Sequence, residues 1–158
     1  MTIKRYALLL TMALALIAGF GCSKTEGTGT DGSGSAISPE MQAAMDTITN
    51  QKIFFDFDRY DIRADSQEVL KAKANALRSY PSIRVQIQGN CDERGTQEYN
   101  LALGERRARA AYEFLLRLGV PAEQMDMISY GKERPAVTGT GEAVWAQNRR
   151  DEFVITGY

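Results

Sequence analysis

No histidine occurs among the 158 residues. The commonest general base and the commonest metal ligand are therefore missing, so most hydrolase and metalloenzyme readings lose their usual chemistry. Cysteine occurs only twice, at Cys22 and Cys91, which argues against a disulfide-built domain. Neither sign of charge dominates: 19 lysines and arginines stand against 20 aspartates and glutamates, a formal net charge of -1. That balance gives no electrostatic basis for gripping nucleic acid. A hydrophobic run of about 20 residues, enough to cross a bilayer, is also lacking. There is no internal repeat. What remains is enough chain for one ordinary domain with a core, plus appendages.

The first appendage lies at the start. Lys4 and Arg5 precede an apolar run from Tyr6 to Ile17, and Ala18-Gly-Phe-Gly-Cys22 closes it with small residues. Charged, hydrophobic and small-residue regions in that order predict a secretory signal over residues 1–21. Residues 23–36 are rich in Gly, Ser and Thr with almost nothing to bury, and predict a flexible tether. Ser38-Pro39 then offers a helix cap with proline at the first helical position, and Met41, Ala44, Met45 and Ile48 form one side of a short helix. The expected organisation is a signal over 1–21, a tether over 22–50 that includes this helix, and a domain over 51–158.

Within the domain, Ile53, Phe55 and Phe57 alternate with polar or outward positions and predict a strand; Ile83, Val85 and Ile87 predict a second. Between them Asp65 and Glu68 read as a capping box. Val69, Ala72, Ala76, Leu77 and Tyr80 follow at helical spacing, and Pro81 ends the helix. A long helix is expected from Asn100 to Leu118, with Leu101, Leu103, Ala108, Ala111, Tyr112, Phe114, Leu115, Leu116 and Leu118 on one arc. A third strand is expected near Met125 to Tyr130, a loop over 131–141, a short helix over 142–147 and a last strand at Phe153 to Ile155. Alternating helices and half-polar strands predict an α+β fold, a two-layer α/β sandwich in which helices cover one face of a small mixed β-sheet.

The chemistry concentrates on the long helix. Arg107 falls inside its apolar arc, whereas Arg106, Arg109, Glu113 and Arg117 fall on the polar side. A guanidinium stays charged at ordinary pH, so one on a core-facing stripe calls for an anion to meet it. Asn100 and Gly104 project from the same side, and the loop Gly89-Asn-Cys-Asp-Glu-Arg-Gly95 brings Asp92 towards the start of the helix. One carboxylate and one guanidinium converge on one cleft, either to hold a ligand or to pair with each other. Replacing Arg107 by alanine is expected to abolish ligand binding and leave the fold intact, and replacing Arg106 to do little. Cys91 reads as a small apolar residue packed at a strand end. Arg149 and Arg150 read as structural or solvated. Asp56 and Asp58 read as turn or strand-end acids, although Asp56, Asp58 or Asp92 as a carboxylate pair would open a hydrolase reading.

Several spaced blocks carry a resemblance: Phe55-Asp-Phe-Asp-Arg-Tyr-Asp-Ile62, Gly89 to Gly95, Tyr99-Asn100, Leu103-Gly-Glu-Arg-Arg-Ala108, Ser129-Tyr-Gly-Lys-Glu-Arg-Pro135 and Asn148-Arg-Arg150. In this order they resemble the outer-membrane-protein-A-like domain family, and most closely its lipid-anchored members from Gram-negative bacteria. Cys22 resembles the acylated cysteine of those lipoproteins, with Gly19 where they usually have leucine, and Cys91 stands where relatives usually have threonine or alanine. The resemblance implies a non-catalytic protein without a cofactor, lipidated at Cys22, held in the cell outer membrane with its domain facing the periplasm. It implies binding of peptidoglycan through the diaminopimelate residue of the stem peptide. Arg107 would offer a planar fork to the distal carboxylate and Asp92 would accept from the ammonium, with Asp58 at a ligand-contacting position and Asn100 shaping the pocket. It further implies a second partner, TolB, the periplasmic propeller protein of the Tol system, and a part in the Tol-Pal envelope and cell-division machinery. An adaptor that binds only other envelope proteins is the competing non-enzymatic reading.

Overall fold

The computed structural model describes residues 37–158; the expected leader, Cys22 and the tether lie outside them. The described elements are α1 (Pro39–Thr49), β1 (Ile53–Phe54), α2 (Ala64–Ser79), β2 (Arg84–Asn90), α3 (Gln97–Arg117), a 3-10 turn (Ala122–Gln124), β3 (Met125–Gly131), α4 (Glu142–Asn148) and β4 (Arg150–Gly157). The strands form one sheet in the order β1-β4-β2-β3. β4 runs antiparallel to β1 and β2, while β2 and β3 are parallel, a pairing that needs a crossover, here α3. Val85, Ile87 and Phe153 point to the helical layer and join Leu70, Leu77, Ala108, Ala111 and Leu115 in the core. Alternate positions such as Ile128 and Val154 are exposed. The architecture is the mixed α+β sandwich that the periodicities predict.

α1 belongs to this unit. Ser38 caps it by accepting from the Met41 N–H at 3.2 Å, as expected, with Pro39 in the first turn. Met45 and Ile48 then enter the core. α1 thus packs as part of the domain, and the tether expected over 22–50 gives up its helix to it. Lys73 of α2 fixes the end of α1: its Nζ donates to the carbonyl of Ile48, and to that of Thr47 at 3.3 Å, while lying 4.5 Å from the Phe153 ring centre. These are carbonyls that a helix leaves open at its C-terminus. Lys73 is fully buried.

Three local expectations are corrected. β1 stops at Phe54, because the chain turns out of the sheet: Phe55 is buried, but Phe57, expected on the same face, is 59% exposed. In α2 the residue at the N-cap is Arg63, and Asp65 bonds Arg63 and the adjacent Ser66 N–H instead of closing a capping box. The buried stripe is Leu70, Lys73, Ala74 and Leu77, leaving Ala72 outside. In α3 the stripe is narrower than predicted, running through Asn100, Leu103, Gly104, Arg107, Ala108, Ala111 and Leu115, with Leu101 and Leu116 exposed.

One close approach sets the register of α3 on the sheet. A Cβ at Gly89 would lie 2.0 Å from the Gly104 carbonyl oxygen, and one at Gly104 would lie 2.3 Å from Ser129 Oγ. Backbone bars a side chain at Gly89, and one at Gly104 would have to displace the Ser129 hydroxyl, so helix and strand backbones touch there. Asn100 and Arg107, one helical turn to either side of Gly104, are thereby pressed against the end of β2.

Candidate functional site

A cavity of about 180 Å³ opens where β2 ends and α3 begins; Asp58, Asp92, Asn100 and Arg107 all line it, with Phe57 and Tyr99. The structure thus brings the four domain residues singled out in the sequence to one place. Its size suits a small head group, holding on the order of ten waters.

Arg107 has no exposed surface. Its Nε donates to the Arg59 carbonyl at 2.8 Å, Nη1 to the Asn90 carbonyl at 3.0 Å and to Cys91 Sγ at 3.4 Å, and Nη2 to the Asp56 carbonyl at 3.2 Å. One guanidinium therefore ties the β1–α2 loop to the end of β2. The carbonyls of Asp56 and Arg59 bracket Asp58, so Arg107 also shapes the turn that carries it. The expected open fork is corrected: of five N–H donors, one on Nη2 is left uncommitted. The charge is less well matched than the hydrogen bonds. Among the described residues no carboxylate forms an ion pair with Arg107. The buried acid Asp151 has both oxygens without a hydrogen-bond partner, and burial pushes its carboxyl well above its ordinary range against the pull of Arg107 and Arg150. Burial lowers the Arg107 pKa from its ordinary value, yet a guanidinium remains a cation. The wall of the cavity consequently carries an unmatched positive charge.

Asp92 is matched. It does not pair with Arg107. Its Oδ1 accepts from the Arg94 backbone N–H and Nε, both at 3.1 Å, and its Oδ2 accepts from Arg94 Nη2 at 2.7 Å and Arg149 Nη1 at 3.3 Å. Burial alone would raise this carboxyl, but the bonds from Arg94 and Arg149 outweigh it and hold it below its usual value. Arg149 is itself immobilised, its Nε on the Phe55 carbonyl at 3.0 Å and its Nη2 on Glu142. Arg150 is fixed on Glu152, Asn148 and Arg134. Both are structural, as one reading of the sequence held.

Asp58 sits in a turn with φ 55, a conformation unusual for a residue with a Cβ but tolerated by aspartate. It accepts a hydrogen bond from the Tyr99 hydroxyl, and that bond raises the Tyr99 pKa. Asn100 is buried, and its Nδ2 donates to the carbonyls of Arg94 at 2.7 Å and Thr96 at 2.9 Å. It ties the loop before α3 to the first turn of that helix. Cys91 is buried beside Arg107 and its thiol is pushed up to about 11 by burial, so it packs and stays protonated. Asp56 is exposed and pairs with Arg63 at 3.3 Å. With Asp92 saturated and Asp56 turned to Arg63, no pair of these acids is free to act as acid and base.

The sequence patterns give Arg94, Phe57 and Tyr99 no part in the site. The only signal was an arginine two residues after Asp92 in a loop; the aromatics become visible once the chain is folded.

The OmpA family model matches residues 54–149. The chain is 43% identical over 155 residues to the peptidoglycan-associated lipoprotein of Agrobacterium fabrum, covering 94% of this chain and 85% of that one. The crystal structure of the peptidoglycan-associated lipoprotein from Burkholderia pseudomallei is 48% identical, covers 67% of this chain and 90% of that chain, and superposes with a TM-score of 0.66. The OmpA-like domain of FopA1 from Francisella tularensis shares the fold at 20% identity, with a TM-score of 0.57 over 67% of this chain and 71% of that chain.

Proposed function

The chain belongs to the OmpA family and, within it, to the peptidoglycan-associated lipoproteins, and we propose that it binds peptidoglycan through the diaminopimelate residue of a stem peptide. The family is structural and the chain is not an enzyme. One observation carries the proposal: a fully buried arginine that has no carboxylate partner among the described residues lines a small cavity that Asp58 and Asp92 also line. A diaminopimelate side chain ends in an ammonium beside a carboxylate. The carboxylate meets the remaining N–H and unmatched charge of Arg107, and the ammonium meets Asp58 and Asp92. Lysine at the same position lacks the distal carboxylate and leaves Arg107 unmatched, which disfavours it by several kcal/mol if solvent is displaced.

Lipidation of Cys22 holds the chain in the outer membrane with the domain in the periplasm, linking membrane to wall; more than one acyl chain is needed for lasting residence. TolB is the second partner in this reading, within the Tol-Pal system. Titration with diaminopimelate-containing and lysine-containing stem peptides side by side tests the specificity. Binding of the first alone is expected, whereas equal binding of both removes Arg107 from the recognition. Cell-wall retention unchanged by Asp92→Ala and Arg107→Ala would leave an adaptor for envelope proteins. Cys22→Ser is expected to release the chain from membranes, measured by fractionation.

A further inference from the structure

The Asp92 carboxylate has no room for a ligand. A carboxylate offers about four lone-pair positions, and four donors occupy them: the Arg94 N–H, Nε and Nη2, and Arg149 Nη1. An incoming ammonium must displace one of these. Arg149 cannot leave cheaply, because its side chain is 6% exposed and anchored on Phe55 and Glu142. The Arg94 side chain is 30% exposed and lies on the loop after β2. Apart from Asp92 and a marginal 4.0 Å approach to Glu142, its guanidinium is held by ring faces, with its carbon 4.0 Å from the Phe57 ring centre and 4.0 Å from that of Trp145. Phe57 is 59% exposed and Trp145 is tethered through Nε1 to Glu93 at 2.9 Å.

We propose that Arg94 is an internal competitor for the ligand's ammonium: it occupies Asp92 when the cavity is empty and swings away, out of its stack with Phe57 and Trp145, when the ammonium arrives. The inference rests on the stem-peptide reading above. The exchange balances in hydrogen bonds. Release of Nε and Nη2 opens two positions on Asp92, one on each oxygen, while the Arg94 backbone N–H and Arg149 keep the other two. It balances in charge as well, one cation replacing another, so Asp92 is never left buried and unpaired. The consequence is selectivity. A neutral head group cannot take Asp92 from a guanidinium that is bidentate and stacked, and a cationic one gains only the difference between its own bonds and those of Arg94. Apparent affinity is set below its intrinsic value by the fraction of molecules in which Arg94 has left.

Trp145 is the only tryptophan in the chain, so its fluorescence reports the stack directly. The purified full chain in detergent micelles is titrated with a diaminopimelate-containing stem peptide, followed by calorimetry and by tryptophan emission. In the native chain both signals are expected to move together. Arg94→Gln removes the competitor and is expected to bind at least about fivefold tighter by calorimetry while emission no longer responds. Arg94→Lys keeps a cation without the planar, bidentate grip and should fall between the two; circular dichroism establishes that each variant is folded. Binding by Arg94→Gln that is equal to or weaker than native, or native binding without an emission change, overturns the competitor role and leaves Arg94 as a loop brace. No calorimetric binding by the native chain overturns the stem-peptide reading instead.

Discussion

Two fully buried cations lie in the helical layer, Lys73 on α2 and Arg107 on α3. Both donate to backbone carbonyls, and among the described residues neither has a carboxylate in ion-pair contact. Lys73 closes the end of α1 and is sealed under the Phe153 ring. Arg107 bridges a loop to the end of β2 but faces a cavity, with one N–H left over. Burial of a cation is thus no sign of a site by itself. The difference is position: at Lys73 the carbonyls complete the structure, whereas Arg107, equally buried, lies against a cavity and keeps one N–H uncommitted.

The largest expected effect tests whether Arg107 is more than a second Lys73. Arg107→Ala removes the donor shared by three carbonyls, from Asp56, Arg59 and Asn90. The fold is therefore not indifferent to it, contrary to the expectation from its sequence position. A loss of about 3–5 kcal/mol is expected in urea unfolding, together with complete loss of stem-peptide binding in calorimetry. Stability lost with binding retained would make the two cations equivalent. Next in size is Asp58→Asn, which leaves the turn but removes the anion: binding should weaken about tenfold, the scale of one charge-assisted hydrogen bond. Spectrophotometric titration should show the Tyr99 phenol falling back towards its ordinary pKa, since Asp58 is what raises it.

Lys73 sharpens the contrast from the other side. Burial lowers its pKa from 10.5 to about 8. Between those values the unfolded chain keeps a proton that the folded chain has released, so stability rises with pH in that window and is flat from this source below it. The slope is at most about 1.4 kcal/mol per pH unit. Urea unfolding from pH 8 to 10 should show it in the native chain and not in Lys73→Met, with stem-peptide binding by the variant unchanged at neutral pH. A binding defect in Lys73→Met would mean that α1 and the cavity are coupled.

The two cations were unequally legible. Arg107 interrupts a run of leucines and alanines, so its presence on the buried stripe of α3 could be read from spacing alone. Lys73 sits between Ala72 and Ala74, and small residues on every side of α2 leave the phase of the helix undetermined; Ala72, expected on the buried stripe, is exposed. α1, β2 and the grouping of Asp58, Asp92 and Asn100 around Arg107 follow patterns or resemblance in the sequence, whereas the strand order and the partners of the site's charges do not, for a physical reason. Periodicity shows which way a side chain points, not what fills its lone pairs. That Asp92 is saturated by Arg94 and Arg149 depends on a loop and on the residue just before β4, which lies 57 positions from Asp92 in sequence. The close contact of Gly89 with Gly104 is likewise set by two glycines whose need appears only when their backbones meet.

Arg106 is the smallest test and the most economical. It neighbours Arg107 in sequence and has the same side chain, but a helix turns about 100° between the two. Its guanidinium lies out in solvent, 5.8 Å from the Tyr60 ring centre and 6.0 Å from that of Tyr99. Contacts that long and exposed are worth at most about 0.5–1 kcal/mol. Arg106→Ala should therefore shift the unfolding midpoint slightly and stem-peptide affinity less than about fivefold, since 1 kcal/mol is that factor at most. If calorimetry found the two alanine variants equally defective, position on the helix would not be what distinguishes them. The cavity wall would then have to be sought on the Tyr60 and Tyr99 side, where net charge and aromatic surface, not a buried guanidinium, would be doing the recognition.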